Sequence, residues 1–391
     1  MKLNLIGRKK LFFEKEVSAL DKELYEIIKE SSFLIVGGAG SIGQSVVKEI
    51  FKRSPKILHV VDISENNLVE LVRDLRSSIG YIPGEFKTYV LDVGSEEFQM
   101  FLSIHNYDYV FNLSALKHVR SEKDPFTLLR MIRVNILNSI NLMDLLQDRV
   151  KKFFSVSTDK ASNPVNMMGA SKKIMELFMM DKSKECPLSS ARFANVAFSD
   201  GSLLHGFTQR LSKNQPISAP NDVKRFFINS QESGELCLLS SIFGKNREIF
   251  FPKMNLENHA MKFTEIAINF LEEKGYEPFL CETEEEARKR CKELIKKSKW
   301  PCYFFSSDTT GEKPYEEFYS DKEELDLKRF SNIGIVLNKY EKNPNLKVFL
   351  NEFNLMANSN KITKQDLVDL FKIVLPGFNH EEKNKNLDDK M

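Results

Sequence analysis

Phe33-Leu34-Ile35-Val36-Gly37-Gly38-Ala39-Gly40-Ser41-Ile42-Gly43 carries a short apolar run straight into a glycine-rich turn, and Val46, Val47 and Ile50 continue at helical spacing. Glycine lets a backbone come close to a pyrophosphate, and a helix start offers unpaired N–H groups and the positive end of its dipole. The spacing G-x-x-G-x-x-G is a variant of the dinucleotide fingerprint, although three glycines alone also describe an ordinary turn. The next strand decides between the two. Predicted over Ile57 to Val61, it ends in Asp62, nineteen residues after Gly43, where a carboxylate accepts both hydroxyls of an adenosine ribose. That carboxylate would repel a 2′-phosphate, and no arginine comes after it in Ile63-Ser64-Glu65-Asn66, so the expected cofactor is NAD rather than NADP. Ser64 also caps the next helix, whose apolar side is Leu68, Val69, Leu71, Val72 and Leu75.

The same rhythm continues. A third strand, Phe86 to Leu91, ends in Asp92-Val93, suited to the adenine edge, and a fourth, Tyr109 to Leu113, leads to Ser114-Ala115-Leu116-Lys117-His118-Val119. A helix over Pro125 to Leu146 precedes an apolar strand through Phe153, Phe154 and Val156; a helix from Ser171 to Lys184 and a strand over Ser189 to Phe193 come next. Alternating strands and helices predict an α/β fold, a doubly wound parallel sheet of Rossmann type. Residues 1–30 read as a leading amphipathic helix (Leu20, Leu24, Ile27, Ile28), 31–195 as the NAD-binding domain, 196–379 mainly as a smaller substrate lobe over the carboxyl ends of the strands, and 380–391 as a polar tail. Within the lobe, Thr283 to Lys299 reads as a charged, solvated helix.

Composition narrows the class. The 391 residues are 42% apolar, enough for a large core, and 57 basic against 55 acidic side chains leave a net charge of +2, no field for nucleic acid. Cys186, Cys237, Cys281, Cys291 and Cys302 form no C-x-x-C pair, which argues for reduced thiols and against a metal such as zinc. The basic start has too short an apolar run for a signal peptide, and no run of roughly 18 apolar residues would span a bilayer. A cytoplasmic protein without stable membrane insertion is expected. The leading helix would pack on its own domain or a second subunit; docking on a membrane surface through Arg8, Lys9 and Lys10 is the other reading.

Ser155-Val156-Ser157-Thr158-Asp159-Lys160 delivers a hydroxyl, a carboxylate and an amine at a strand end, and Lys172 stands twelve residues after Lys160. In isolation Thr-Asp-Lys is often a turn with a helix cap. Behind the glycine loop, with Lys172 in place, it reads as an active site.

These stretches resemble the nucleotide-sugar 4,6-dehydratases of bacterial surface-polysaccharide and flagellin-glycan synthesis, extended short-chain dehydrogenase/reductases acting on UDP-N-acetylglucosamine. The resemblance rests on Gly37 to Gly43, Ala115-Leu116-Lys117-His118-Val119, Ser157-Thr158-Asp159-Lys160-Ala161 with Asn163-Pro164, Gly169-Ala170-Ser171-Lys172, Arg192-Phe193-Ala194-Asn195-Val196, Gly201-Ser202, Arg225-Phe226-Phe227 and Gly311-Glu312-Lys313, over residues 30 to 320. Ser306-Ser307-Asp308-Thr309-Thr310 is similar to the branch serving legionaminic-acid-type nonulosonates. The resemblance implies tightly bound NAD, regenerated at each turnover, which takes a hydride from C4 and returns it to C6, with dehydration across C5 and C6 between. It also implies Thr158, Asp159, Lys160 and Lys172 as catalytic residues: protonated Asp159 as acid to the C6 hydroxyl, neutral Lys160 as base at C5, and Lys172 on the nicotinamide ribose. Cofactor contacts fall to Gly37, Gly40, Ser41, Ile42, Gly43, Asp62, Ser64, Asp92, Val93, Ala115 and Lys172. Substrate contacts fall to Lys117, His118, Met168, Asn195, Ser202, Arg225 and Glu312.

The chain departs from the short-chain pattern at Met168, where a tyrosine normally stands. A thioether cannot carry the O4 proton, so Thr158 is expected to pass it to Asp159 or water, and the methionine implies retention at C5. A homo-oligomer is the family's habit. The carrier, UDP or GDP, stays open, as do two rivals: a nucleotide-sugar 4-epimerase and a non-catalytic NAD-binding scaffold.

Overall fold

The apolar runs of the first half become the centre of one sheet. A computed structural model describes residues 3–307, 313–359 and 361–380. In chain order its strands are β1 (Ser32–Val36), β2 (Ile57–Asp62), β3 (Glu85–Val90), β4 (Tyr109–Asn112), β5 (Lys152–Thr158), β6 (Leu188–Phe193), β7 (Asn195–Val196), β8 (Ile217–Pro220), β9 (Lys224–Ile228), β10 (Glu248–Pro252), β11 (Ala260–Lys262), β12 (Glu277–Cys281), β13 (Lys299–Phe305), β14 (Glu324–Asp326) and β15 (Ile333–Leu337). The main sheet has the order β14-β15-β10-β6-β5-β4-β1-β2-β3. From β3 to β10 neighbours are parallel; β15 and β14 close the edge antiparallel. The strand order reverses between β1 and β4, where doubly wound sheets open a crevice for ligands. Every residue of β1 and β4 is buried, as a strand with helices on both faces requires.

The lobe is built on two small sheets, β11-β9-β7 and β12-β13-β8, around a second core containing Leu204, Phe207, Phe270, Leu271 and Trp300. Leu5 and Ile6 join that core, so the chain start packs on the lobe. Arg8 is tied to Glu232 by a fork of two 2.6 Å hydrogen bonds and is not part of an exposed basic patch. The helix Glu14–Lys29 then buries Leu24 and Ile28 in the main core.

Several boundaries differ from the sequence reading. The charged helix spans Glu284–Ile295, not Thr283 to Lys299: Ser298 takes a φ of 57°, and the chain turns into β13. The helix carrying Lys172 starts at Met167 rather than Ser171, because Asn166 caps it by accepting from the Gly169 N–H at 2.8 Å. The Pro125–Leu146 stretch contains one π turn, Arg133–Leu137, between Pro125–Ile132 and Asn138–Leu145. And much of 196–379 returns to the Rossmann body: β10, β14 and β15 extend the main sheet, while the helices Asn345–Ala357 and Lys364–Val374 bury Phe349, Phe353 and Phe371 in its core. His380, expected in the polar tail, is buried against Glu122.

Candidate active site

Local geometry builds the cofactor end. Gly37 has a φ of +74° and lies against the Ser114 backbone; a Cβ on Gly43 would overlap the Gly37 carbonyl oxygen. A Cβ on Gly40 would instead meet only the Gly37 carbonyl oxygen, at an ordinary 3.5 Å, and Gly40 supplies the N-cap of the helix Ser41–Phe51 without a side chain of its own. The helix start is thus bare toward the crevice, as an anion requires. Asp62 is fixed at the tip of β2, accepting from the Ala39 and Ser64 N–H groups at 2.9 Å each.

Two cavities meet here. One of about 200 Å³ is lined by Asp62, Asp92, Val93, Arg130, Val134 and Asn138 among others. The second, about 320 Å³, is lined by Ser41, Ile42, Gly43, Lys117, His118, Thr158, Asp159, Lys160, Met168, Lys172, Asn195 and Ser202 among others. Gly37, Gly40, Leu113 and Ala115 line both, so the cleft is continuous across the glycine loop. A cleft of that shape suits a dinucleotide, and Asp62 and Gly40 are among the lining residues that would hold one. Ser64 lies outside the lining: its hydroxyl accepts from the Asn67 N–H, a helix cap. Ser41 exchanges hydrogen bonds with Asp200, of 3.0 Å to the carboxylate and 2.9 Å from the Asp200 N–H.

At the reacting end, β5 places Thr158 and Asp159 side by side. Thr158 donates to Asp159 Oδ1 at 2.8 Å, and the same oxygen accepts from the Lys160 N–H at 2.8 Å and from Lys160 Nζ at 3.1 Å. Asp159 Oδ2 is buried with no partner among the described residues. Lys160 meets a second carboxylate, Glu316, with Nζ 3.6 Å from Oε1. Burial pulls the Lys160 pKa down, but Asp159 and Glu316 outweigh it and hold the ammonium above its usual range. The neutral Lys160 expected as the base at C5 therefore has two carboxylates to overcome, since both favour the ammonium. Lys172 is the opposite case. It is 4% exposed, donates to the Val156 carbonyl at 3.0 Å, and burial, opposed only by Glu176, lowers its pKa to about 8.

Met168 does line the cavity, and its N–H donates to Glu122 Oε1 at 2.9 Å. Every hydroxyl at this cavity is a serine or threonine; none of its lining residues is a tyrosine. Burial, then Lys117 and Arg120, push the His118 pKa down, which keeps its ring neutral. Arg225 is not in the cavity lining. It is 5% exposed and its Nη1 donates to the Lys224, Lys313 and Pro314 carbonyls, so it pins the chain that carries Glu316. Glu312 lies outside the described residues.

Sequence reasoning missed the buried charges beneath the site. Ser157 donates to Glu176 at 2.6 Å; Arg192 forks onto Glu176 and reaches Glu323 and the Phe318 carbonyl. Asn135, on the π turn, binds both the N–H and the carbonyl of Leu116 and also Ser171. Arg192 belongs to the Arg-Phe-Ala-Asn-Val motif, and Glu316 lies three residues beyond Lys313; only their partners were invisible.

Residues 33–338 match the family described as polysaccharide biosynthesis protein. The chain belongs to that family. Among relatives of this polysaccharide biosynthesis protein, an uncharacterized membrane protein of Methanocaldococcus jannaschii is 31% identical over 81% of this chain and 88% of its own. The UDP-glucose 4-epimerase of Rickettsia typhi is 28% identical over 57% of this chain and 66% of its own. Of solved structures, Pen from Bacillus thuringiensis superposes with a TM-score of 0.65 at 22% identity, covering 88% of this chain and 99% of that one. WbmF of Bordetella bronchiseptica, solved with NAD+, gives a TM-score of 0.51 at 17% identity over 63% of this chain and 79% of its own. Both share the α/β fold with a large, mostly parallel sheet of Rossmann type. Among the described residues no helix is long and apolar enough to cross a membrane.

Proposed function

We propose that this family member is an NAD-dependent 4,6-dehydratase acting on a nucleotide-diphosphate N-acetylglucosamine, UDP-linked, for a surface glycan or a nonulosonate of legionaminic-acid type. The observation that carries the reading is the Asp159–Lys160 pair, closed into the cavity next to Lys172 and continuous with the dinucleotide cleft. A C4 oxidation alone needs no such pair; loss of a C5 proton and a C6 hydroxyl needs both a base and an acid.

Bound NAD would supply the hydride acceptor for C4 and donor for C6. The chain's own residues move the protons. Thr158, already donating to Asp159 Oδ1, passes the O4 proton to that carboxylate. Asp159 gives the proton to the C6 hydroxyl, which leaves as water. Lys160, once neutral, takes the C5 proton and later returns it to C5, and retention at C5, which the resemblance attaches to Met168, belongs to the same reading. Lys172 would bind the nicotinamide ribose, and Lys117, His118, Asn195 and Ser202 would contact the sugar nucleotide; all five line the same cavity. A homo-oligomer belongs to the same reading.

The test is product identification after offering UDP- and GDP-N-acetylglucosamine in parallel. A dehydratase yields a sugar lighter by one water; a product of unchanged mass would identify a 4-epimerase, the reading favoured by the Rickettsia relative. Unchanged sugar at high enzyme concentration would leave a non-catalytic scaffold.

A further inference from the structure

Lys160 faces a difficulty that its own neighbourhood creates. It is to act as a base, yet two carboxylates hold its proton. Protonation of Asp159 from O4 removes one of them, which leaves Glu316 as the anion facing the ammonium at 3.6 Å.

Glu316 comes from a segment some 150 residues further along the chain, and its side chain is 3% exposed. Its acid function is not required to hold that segment in place. Ser162 Oγ donates to the Glu317 carbonyl at 2.6 Å, Arg192 to the Phe318 carbonyl at 2.9 Å, and Arg225 to those of Lys313 and Pro314. What the Glu316 side chain itself meets is charge: Lys160 on one side and Arg225 Nη2, at 3.9 Å, on the other.

Resting on the dehydratase reading, we propose that Glu316 is the proton partner of Lys160: it takes the ammonium proton, which leaves the amine free to act at C5, and returns it when the cycle closes. The balance is simple. One proton passes from Nζ to a carboxylate oxygen, Lys160 goes from +1 to neutral and Glu316 from −1 to neutral, and no bond to carbon changes. In a buried site the neutral pair avoids the desolvation of two ions, and an excluded-solvent transfer needs no exchange with bulk water. Burial, opposed by Lys160, Arg225 and Lys313 and supported by Asp159, raises the pKa of Glu316, the direction a proton acceptor here requires. Because it does not line the cavity, Glu316 acts through Lys160 as a positioning residue.

Glu316→Gln keeps the shape and removes the proton acceptor. Expected for the wild-type enzyme is a dehydration rate nearly flat between about pH 6.5 and 9; for the variant, a loss of about tenfold or more at pH 7 that recovers as pH rises and solvent removes the proton instead. Solvent deuterium entry at C5 should show the same profile. A variant with the wild-type rate, or one slowed by the same factor at every pH, overturns the proposal. Glu316→Asp keeps the acid with a shorter reach and should stay flat with pH at a reduced rate; the pH-dependent profile of Gln in this variant would overturn it too. Should wild-type enzyme dehydrate neither sugar nucleotide, the dehydratase reading fails by itself, and Glu316 is then judged on competitive acylation of Lys160, read by peptide mass spectrometry. Half-maximal labelling should move to lower pH by about one unit or more in Glu316→Gln; an unmoved labelling curve overturns the pairing.

Discussion

Burial of Lys172 works against the fold. Its amine has one carbonyl partner and a pKa lowered to about 8 by burial. The unfolded chain therefore binds the extra proton between about pH 8 and 10.4, so stability rises with pH across that window, and below it the full cost of a buried ammonium is present. That cost is on the order of 3 kcal/mol. Lys172→Met should melt a few degrees higher than wild type at pH 7, with the gain shrinking toward pH 10, while dehydration falls at least about a hundredfold. Melting curves at both pH values and a turnover assay check it; a lower melting temperature at pH 7 would show that the lost Val156 contact outweighs the charge. At this scale the residues lining the site were largely legible, because a glycine turn, an acid at a strand tip and Thr-Asp-Lys are local patterns. The protonation state of Lys160 was not, since Glu316 reaches it from far along the chain and no spacing records that approach.

Elements are joined beneath the site by ions rather than by apolar packing alone. Arg192 on β6 pairs with Glu176 of the helix Met167–Lys182 and with Glu323 just before β14. Burial pushes Glu323 up, but its bonds to Arg192 outweigh this and hold it at about 2. A depressed carboxylate contributes stability that is complete above its unfolded pKa and lost as pH falls from about 4.3 toward 2. Arg192→Met strands two carboxylates and should cost about 3–5 kcal/mol in urea unfolding at pH 7, with much of the difference from wild type gone near pH 2. The glycine loop fails differently. Gly43→Ala forces its methyl into the Gly37 carbonyl, so it should abolish dinucleotide binding by calorimetry while Gly40→Ala, whose Cβ would make only an ordinary 3.5 Å contact, keeps the fold. Hydrophobic period revealed most of these elements. It failed at Ser298, where a backbone turn ends a charge-rich helix, and at Met167, where an asparagine cap starts one early.

On the scale of the molecule, the chain order and the spatial order part company after β9. Residues 345–374 keep no strand–helix alternation in sequence and so read as lobe, yet their phenylalanines close the body over the helices Pro125–Ile132 and Met167–Lys182, with Phe349 against Phe178. A chain ending at Tyr340 should expose that face, lose at least about 10 °C in melting temperature and associate in light scattering; a monodisperse chain melting like the full-length protein would contradict the packing. The chain start has a related dependence. Arg8 and the Phe12 N–H are held by Glu232, and Asn332 donates both to Glu16 and to the Phe12 carbonyl. Glu16 and Asn332 are 316 positions apart. At a synthesis rate of about 5–20 residues per second, Glu16 waits on the order of 15–60 s for Asn332 to be made. During that interval the Glu16 carboxylate and the Phe12 carbonyl lack the partner that Asn332 supplies, so the closure of this segment is a late event in synthesis.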